Sequence, residues 1–566
     1  MNKFLPFNMM LLPLIAGCSG CTDSSNSLGP NDPAAQRAAE QWHGELLTWA
    51  IDNLNRLDEF HSDEVIHQIS ARLTSPPSPA LPQDALLETW PEPEILRQIV
   101  ARLNRWIRTQ QPVPWAVDPL AGTLSQPYGR LPRVEGLGRL EFSAYDGFAL
   151  RQAVWLRDIS TRARGEELDD LDRARKIFDW TVRNIQLESD APGGNGTPVT
   201  WTAQVPWETL LFGRGTVMER AWVFILLARQ QHLDAALLAI AEPADAATPS
   251  PAETLKSSSR GSTLRPWVVA VAIEDALYLF DPSLGVPIPA PGGIKLGDDG
   301  TLQIEPATLR QVVADEALLR QLDVDEMNRY PVRSEDLKKI VALVEASPTY
   351  LARRMEQVEL HLAGEQSMVL SIDATAQAAR FAANEHVSSA ELWTLPYDTL
   401  LRRSQLDRRQ IQQRLVALLP FYGVPGTPLC KARMLHFAGK LGGTQGATVF
   451  YQRSRPPDRQ LAAAQIHQMD KAILRQAKQN ASYWMGLVAF ERENYSSASD
   501  YFAQRTLNAT PQGPWTPGAH YNLGRTHEAA GRPAEAIEQY RSDTTSPARF
   551  GNRLRARWLG LKTTDK

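Results

Sequence analysis

Cys18, Cys21 and Cys430 are the only three thiols in this 566-residue chain, and their positions limit the covalent chemistry open to it. A cysteine becomes a nucleophile where a helix N-terminus or a neighbouring imidazolium lowers its pKa. Two of the three stand close to the N-terminus and the third far down the chain, too few and too far apart for a disulfide framework or a metal site. A bridge between Cys21 and Cys430 stays open, although Cys21 lies in a Ser-, Gly-, Asp-, Asn- and Pro-rich stretch. No metal and no cofactor is expected. The other candidates for chemistry are Glu219, Arg220 and Asp281, charged side chains within the most apolar part of the sequence. An adjacent Glu–Arg pair early in a helix is more often a solvated or capping pair than an acid–base pair.

The elements that hold these residues read GTVMERAWVFILLARQQHLDA from Gly215 to Ala235 and RPWVVAVAIEDALYLFDPS from Arg265 to Ser283. The first has the length and apolarity of a buried helix running into a strand. The second reads as two strands, Val268 to Ile273 and Ala276 to Phe280, with Glu274-Asp275 as a tight turn. Upstream, Asp170 to Leu187 carries Ala174, Ile177, Phe178, Thr181 and Ile185 at helical spacing, with Asp170 as its N-cap.

In order and spacing, Asp170 to Pro289 resembles the core of transglutaminase-like domains. That family places a cysteine two residues after a Gly and four before an Ala, ends the helix on Arg-x-x-Gly-Ile-Pro-Ala, opens the next strand with His-x-Trp-Val and closes the one after on Leu-x-Asp-Pro-Thr/Ser. Here the frame holds Gly215, Val217, Ala221, Arg229, His232, Leu233, Asp234 and Ala235, then Arg265, Trp267 and Val268, then Phe280, Asp281, Pro282 and Ser283. The resemblance implies a papain-like α+β fold, a central helix on a small antiparallel sheet. It also puts Val217 at the nucleophile's position and Arg265 at the base's, with only Asp281 retained. A valine has no nucleophile, and a guanidinium cannot accept a proton. The expectation is a catalytically dead domain in which Asp281 pairs with Arg265 and Val217 is buried near Trp222 and Phe224. The alternative is a divergent acyl-transfer or peptidase enzyme with another nucleophile.

The N-terminus carries a different signal. Lys3 precedes a short apolar run from Phe4 to Ile15, and Ile15-Ala16-Gly17-Cys18 resembles the lipobox of bacterial lipoproteins. Such a run is too short to span a membrane. The resemblance implies a signal cut before Cys18, a lipid anchor on that cysteine and a place in the cell envelope on the extracytoplasmic side, with Ser19 leaning towards the outer membrane. The net charge of −4 gives no electrostatic case for nucleic acid.

The organisation expected is a signal peptide over 1–17, a tether over 18–33, a helical region over 34–138, the transglutaminase-like domain over 139–300 with its core at 170–289, a mixed and mainly helical region over 301–425, and helical repeats over 426–566. Trp106 and Trp115 sit beside Leu and Ile at helical spacing and read as core. SMVLSID, Ser367 to Asp373, reads as a strand. Near the C-terminus, Gly486, Ala498 and Phe502 recur as Gly524, Ala536 and Tyr540, each 38 residues on. This spacing resembles the tetratricopeptide repeat, in which small residues let paired helices approach closely. Two repeats cannot bury their own faces, so helices in Lys431 to Gln452 and Gln460 to Gln479 must cover the open end. The repeats read either as a groove for a protein or peptide partner or as the terminus of a helical body.

Overall fold

The computed structural model describes residues 44–58, 94–189, 204–242, 255–256, 263–297, 301–422, 428–462 and 468–561. Cys18, Cys21 and the expected signal peptide and tether lie outside them. The architecture is mixed α+β. Among the described residues no helix is long and apolar enough to cross a membrane.

Helices α1 (Glu94–Ile107), α2 (Ala144–Arg164) and α3 (Asp170–Asn184) lead into the central unit. In α1, Ile99, Leu103 and Trp106 are buried, while Trp115 beyond it is partly buried against the same core. The N-cap of α3 is Asp169 rather than Asp170, its carboxylate accepting from the Asp172 amide at 3.0 Å. The next elements are β1 (Gln186–Leu187), α4 (Pro206–Phe212), β2 (Arg214–Gly215), α5 (Val217–Arg229) and β3 (Asp234–Glu242). Thr216 caps α5, and Glu219 completes a capping box on the Thr216 amide. Every residue of α5 from Glu219 to Arg229 is buried, as its all-round apolarity requires.

The sheet continues with β4 (Leu255–Lys256), β5 (Thr263–Ile273), β6 (Ala276–Asp281) and β7 (Val286–Pro287); β8 (Pro289–Leu296) and β9 (Leu302–Pro306) form a separate hairpin. The expected turn at Glu274-Asp275 is there, with Ile273 paired to Ala276 and Glu274 at φ 51°. The region beyond 300, expected to be mixed and mainly helical, adds β10 (Ile340–Val344) and β11 (Val387–Leu392) to this same sheet, with α6 (Ala374–Ala382) packed on both. The strand order is β11-β10-β3-β5-β6-β7, with β4 on β5 and a parallel β10–β11 pair, so the sheet is seven-stranded and mixed rather than small and antiparallel. Both faces are covered. Leu237, Ala239, Val269 and Val271 join one hydrophobic cluster, and Leu238, Ile240, Val268 and Ala270 the other. That is why β3 and β5 read as unbroken apolar runs instead of alternating.

No strand forms over Ser367 to Asp373. Side chains take the place of a neighbouring strand there. Gln230 bonds both backbone groups of Val369, and Glu359 accepts from the amides of Leu370 and Ser371.

The C-terminal half is helical: α7 (Arg408–Tyr422), α8 (Leu429–Phe437), α9 (Ala447–Arg453), α10 (Gln468–Glu491), α11 (Tyr495–Phe502), α12 (Thr516–Ala529), α13 (Pro533–Ser542) and α14 (Arg549–Gly560). Antiparallel pairs α8–α9, α10–α11 and α12–α13 stack in succession and α14 packs on α13, so upstream helices do cover the open end of the last two pairs.

Candidate functional site

The first turn of α5 lies against the end of β6. Gly215, just ahead of it, is tightly packed, since a Cβ there would stand 3.0 Å from the side chains of both Thr209 and Glu219. The helix ends at Arg229, and the turn after it passes through His232, whose φ of 56° is left-handed; the motif that the sequence resembles has a glycine at this position. Arg229, the motif's arginine, pairs with Glu345 at 2.5 Å, and Trp222 donates to the same carboxylate at 3.1 Å. Glu345 follows β10, and nothing in the sequence tied it to this helix.

The three positions that the resemblance singled out, Val217, Arg265 and Asp281, have separate fates. Val217 is the first residue of α5 and is half-buried, not a core residue, because the apolar body of the helix begins only at Ala221. Arg265 does not meet Asp281. The β3–β5 register sets Arg265 opposite Ile240 at the outer end of the pair, and its Nε donates to Glu242 at 2.5 Å.

Asp281 is buried and takes all its partners from elsewhere. The Ser283 amide and hydroxyl donate to Oδ1 at 2.8 and 2.6 Å, and the Leu284 amide donates at 3.0 Å. Oδ2 accepts from the Tyr330 hydroxyl at 2.8 Å, which in turn accepts from the Trp267 indole at 2.8 Å. Burial pushes the Asp281 carboxyl above its ordinary range, against the hydrogen bonds from Ser283, Leu284 and Tyr330. Burial, and then the Asp281 charge, push the Tyr330 hydroxyl far above its own range, so it is no nucleophile at neutral pH. Tyr330 sits in Asn328-Arg329-Tyr330-Pro331, a loop whose spacing carries no signal of this role.

Between Asp281 and α5 lies the buried Arg220 guanidinium. It donates to the Ile185 carbonyl from Nε at 3.1 Å and to the Pro282 carbonyl at 3.0 Å. Burial lowers its pKa to about 10, while the Tyr521, Tyr483 and Asp281 side chains pull the other way. Arg220 therefore crosslinks α3, α5 and the Asp281 turn. Glu219 is spent on capping, its other oxygen accepting from the Gln204 amide at 2.7 Å. No described group here combines a nucleophile with a base.

The C-terminal helices close over this junction. The Gln186 amide in β1 donates to the Pro514 carbonyl and accepts from the Gly518 amide, both at 2.8 Å. Asn522 of α12 donates to the Arg183 carbonyl at 3.1 Å, and Arg525 pairs with Asp179 of α3. Gly551 of α14 rests directly on the Leu284 carbonyl, and Arg557 donates to the carbonyls of Gln321 and Asp323. The inner face of α12 is thus occupied by the chain's own α3 and β1. No family model, curated protein or solved structure matches this chain.

The six repeat positions come together in two equal contacts. A Cβ on Gly486 would stand 2.5 Å from the Phe502 ring, and one on Gly524 2.5 Å from the Tyr540 ring; Ala498 and Ala536 are fully buried. A further equivalence, Glu493 with Gly531, also 38 residues apart, has left-handed φ values of 58° and 68° at the two hairpin corners. The Gly at 531 was the available signal for it.

On the flank of α5 turned away from Arg220, Trp222 lines a cavity of about 40 Å³ with Tyr145, Phe148, Trp207, Ser347 and Thr349. No charged side chain lines it, so it too offers no acid or base. Cys430, the one described cysteine, is buried with Sγ 2.8 Å from the Tyr422 hydroxyl. Among the described residues no cluster of His, Cys, Asp or Glu could hold a metal ion.

Proposed function

We propose that this chain is an extracytoplasmic lipoprotein, anchored to a membrane through Cys18, whose transglutaminase-like domain no longer performs chemistry and serves with its tetratricopeptide-like helices as a binding or scaffolding body. The observation that carries the reading is the junction around Arg220. Where an acyl-transfer enzyme needs a thiolate, an imidazole and an open cleft, this chain has Val217, Arg265 and a guanidinium bonded to Ile185 and Pro282 under the roof of α12. The aspartate that would orient an imidazole holds Tyr330 instead. Because the inner face of α12 is taken up by Gln186 and Arg183, the partner surface in this reading lies on the outside of the helical array.

The purified body should incorporate no amine into glutamine substrates and show no thiol-dependent proteolysis. Robust turnover that survives Cys430→Ala would overturn the reading. The anchor is tested separately: Cys18→Ser should abolish lipid labelling and leave uncut precursor, and normal labelling of that variant would sink the assignment.

A further inference from the structure

The helical array meets α2 through one buried cluster that the site above does not use. His436, fully buried at the end of α8, points Nε2 at Glu491 Oε2 at 3.3 Å and Nδ1 at the Tyr451 hydroxyl at 3.1 Å, with the Arg433 guanidinium 3.4 Å from Nδ1. From α2, Arg162 pairs with Glu491 at 2.9 Å and donates to the His436 carbonyl. Four elements, α2, α8, α9 and α10, are joined through one imidazole and one carboxylate. We propose that His436, Glu491 and Arg162 form an acid-sensitive latch that holds α8 and α9 against α2.

The argument rests on what a neutral imidazole can do. With a carboxylate at Nε2, the ring carries its proton there and donates to Glu491, leaving Nδ1 to accept from Tyr451 and Arg433. A second proton would sit on Nδ1, where the Tyr451 hydroxyl would have to turn from donor to acceptor and the Arg433 guanidinium cannot accept. It would also add a further cation beside Arg162 and Arg433 around Glu491, on which Arg183 acts as well. Among the described residues, the other elements packed on α8 bring no second acid to the ring. Arg414 of α7 is paired with Glu208, Tyr422 with Cys430, and Arg56 of the segment Leu54–Asp58 with Asn53.

Burial, with Arg162 and Arg433 acting in the same direction against Glu491, lowers the His436 pKa from 6.5 to about 4. A group depressed in the folded state stabilises it fully above its unfolded value and loses that contribution as pH falls towards the folded one. The window is therefore 6.5 down to about 4. Glu491 reinforces the effect lower down. Burial opposes its ionisation, but Arg162 and His436 hold its pKa well below the ordinary 4.5, so its contribution is lost only under stronger acid.

The test is hydrogen exchange of the full chain at neutral pH and at about pH 5, corrected for intrinsic rates. Amides of residues 429–453 should exchange at least about tenfold faster in acid relative to those of β5 and β6, as one unit of unmatched protonation implies. His436→Gln, which can still donate to Glu491 and accept from Tyr451 but does not titrate, should remove that difference. An unchanged pH response in His436→Gln, or acid opening spread equally over β5 and β6, would overturn the latch. Should the variant not fold, NMR titration of the imidazole in the natural chain decides: titration near 6.5 with residues 429–453 still protected contradicts the proposal, and titration well below 6.5 coincident with their opening supports it.

Discussion

Around α5 the sequence pattern points to chemistry, yet the charged groups at that junction serve as structure. In the array from α10 to α14 the residues that match between hairpins set how closely two helices approach. Gly486 meets Phe502 as Gly524 meets Tyr540, ångström for ångström. The contrast teaches that a spacing pattern reports packing faithfully and reports chemistry only while the reacting atoms are present. Of the positions that the resemblance singled out, Arg265 pairs with Glu242, Asp281 holds Ser283, Leu284 and Tyr330, and Val217 is half-buried.

The largest effects should come from the array. Gly524→Val places a branched side chain where even a Cβ is 2.5 Å from Tyr540, and Gly486→Val does the same to Phe502. Each should cost about 3 kcal/mol or more, since a buried ring cannot move aside in a close-packed interior. Thermal melts check this, and a much smaller loss in one variant than in the other would break the equivalence of the two hairpins.

Next comes Asp281. Replacing it with Ala strands the Ser283, Leu284 and Tyr330 donors in the interior and should cost about 2–4 kcal/mol in denaturant unfolding. Asp281→Asn should cost less, and the pH dependence has a definite sign. Because the folded carboxyl is raised above 3.8, its stabilisation is present below 3.8 and declines as pH rises through the folded value. The penalty of Asp281→Asn, which cannot ionise, should therefore be smaller at neutral pH than in acid.

The smallest effect is expected at Val217. A half-buried first-turn residue outside the core should tolerate Ser or Asp within about 1 kcal/mol, with the carboxylate helped by the helix N-terminus. A loss above about 3 kcal/mol for Val217→Asp alone would mean a buried side chain and would restore the closer parallel with a nucleophile pocket.

Much of the local structure was legible. The α5 helix, the β5–β6 hairpin, the buried stripe of α3 and the 38-residue match all follow from periodicity, turn residues and small residues at close contacts. What was not legible depends on contacts distant in sequence. Glu345 reaches Arg229 and Trp222 from beyond β10, Tyr330 reaches Asp281 from a loop, and the backbone of residues 369–371 is satisfied by Gln230 and Glu359 rather than by a strand. A burial expectation for Val217 failed for a simpler reason: a motif position says which turn a residue occupies, not how deeply it is covered.

The central claim is that the junction around Asp281 and Arg220 is closed structure, sealed by α12 and α14, rather than an open cleft. Hydrogen exchange of the Ser283 and Leu284 amides, the two backbone donors to Asp281, measures this directly. In the full chain both should exchange only as slowly as the amides of β5 and β6, through global unfolding. Rapid exchange of both while β5 and β6 stay protected would show a turn open to solvent, and would contradict the account.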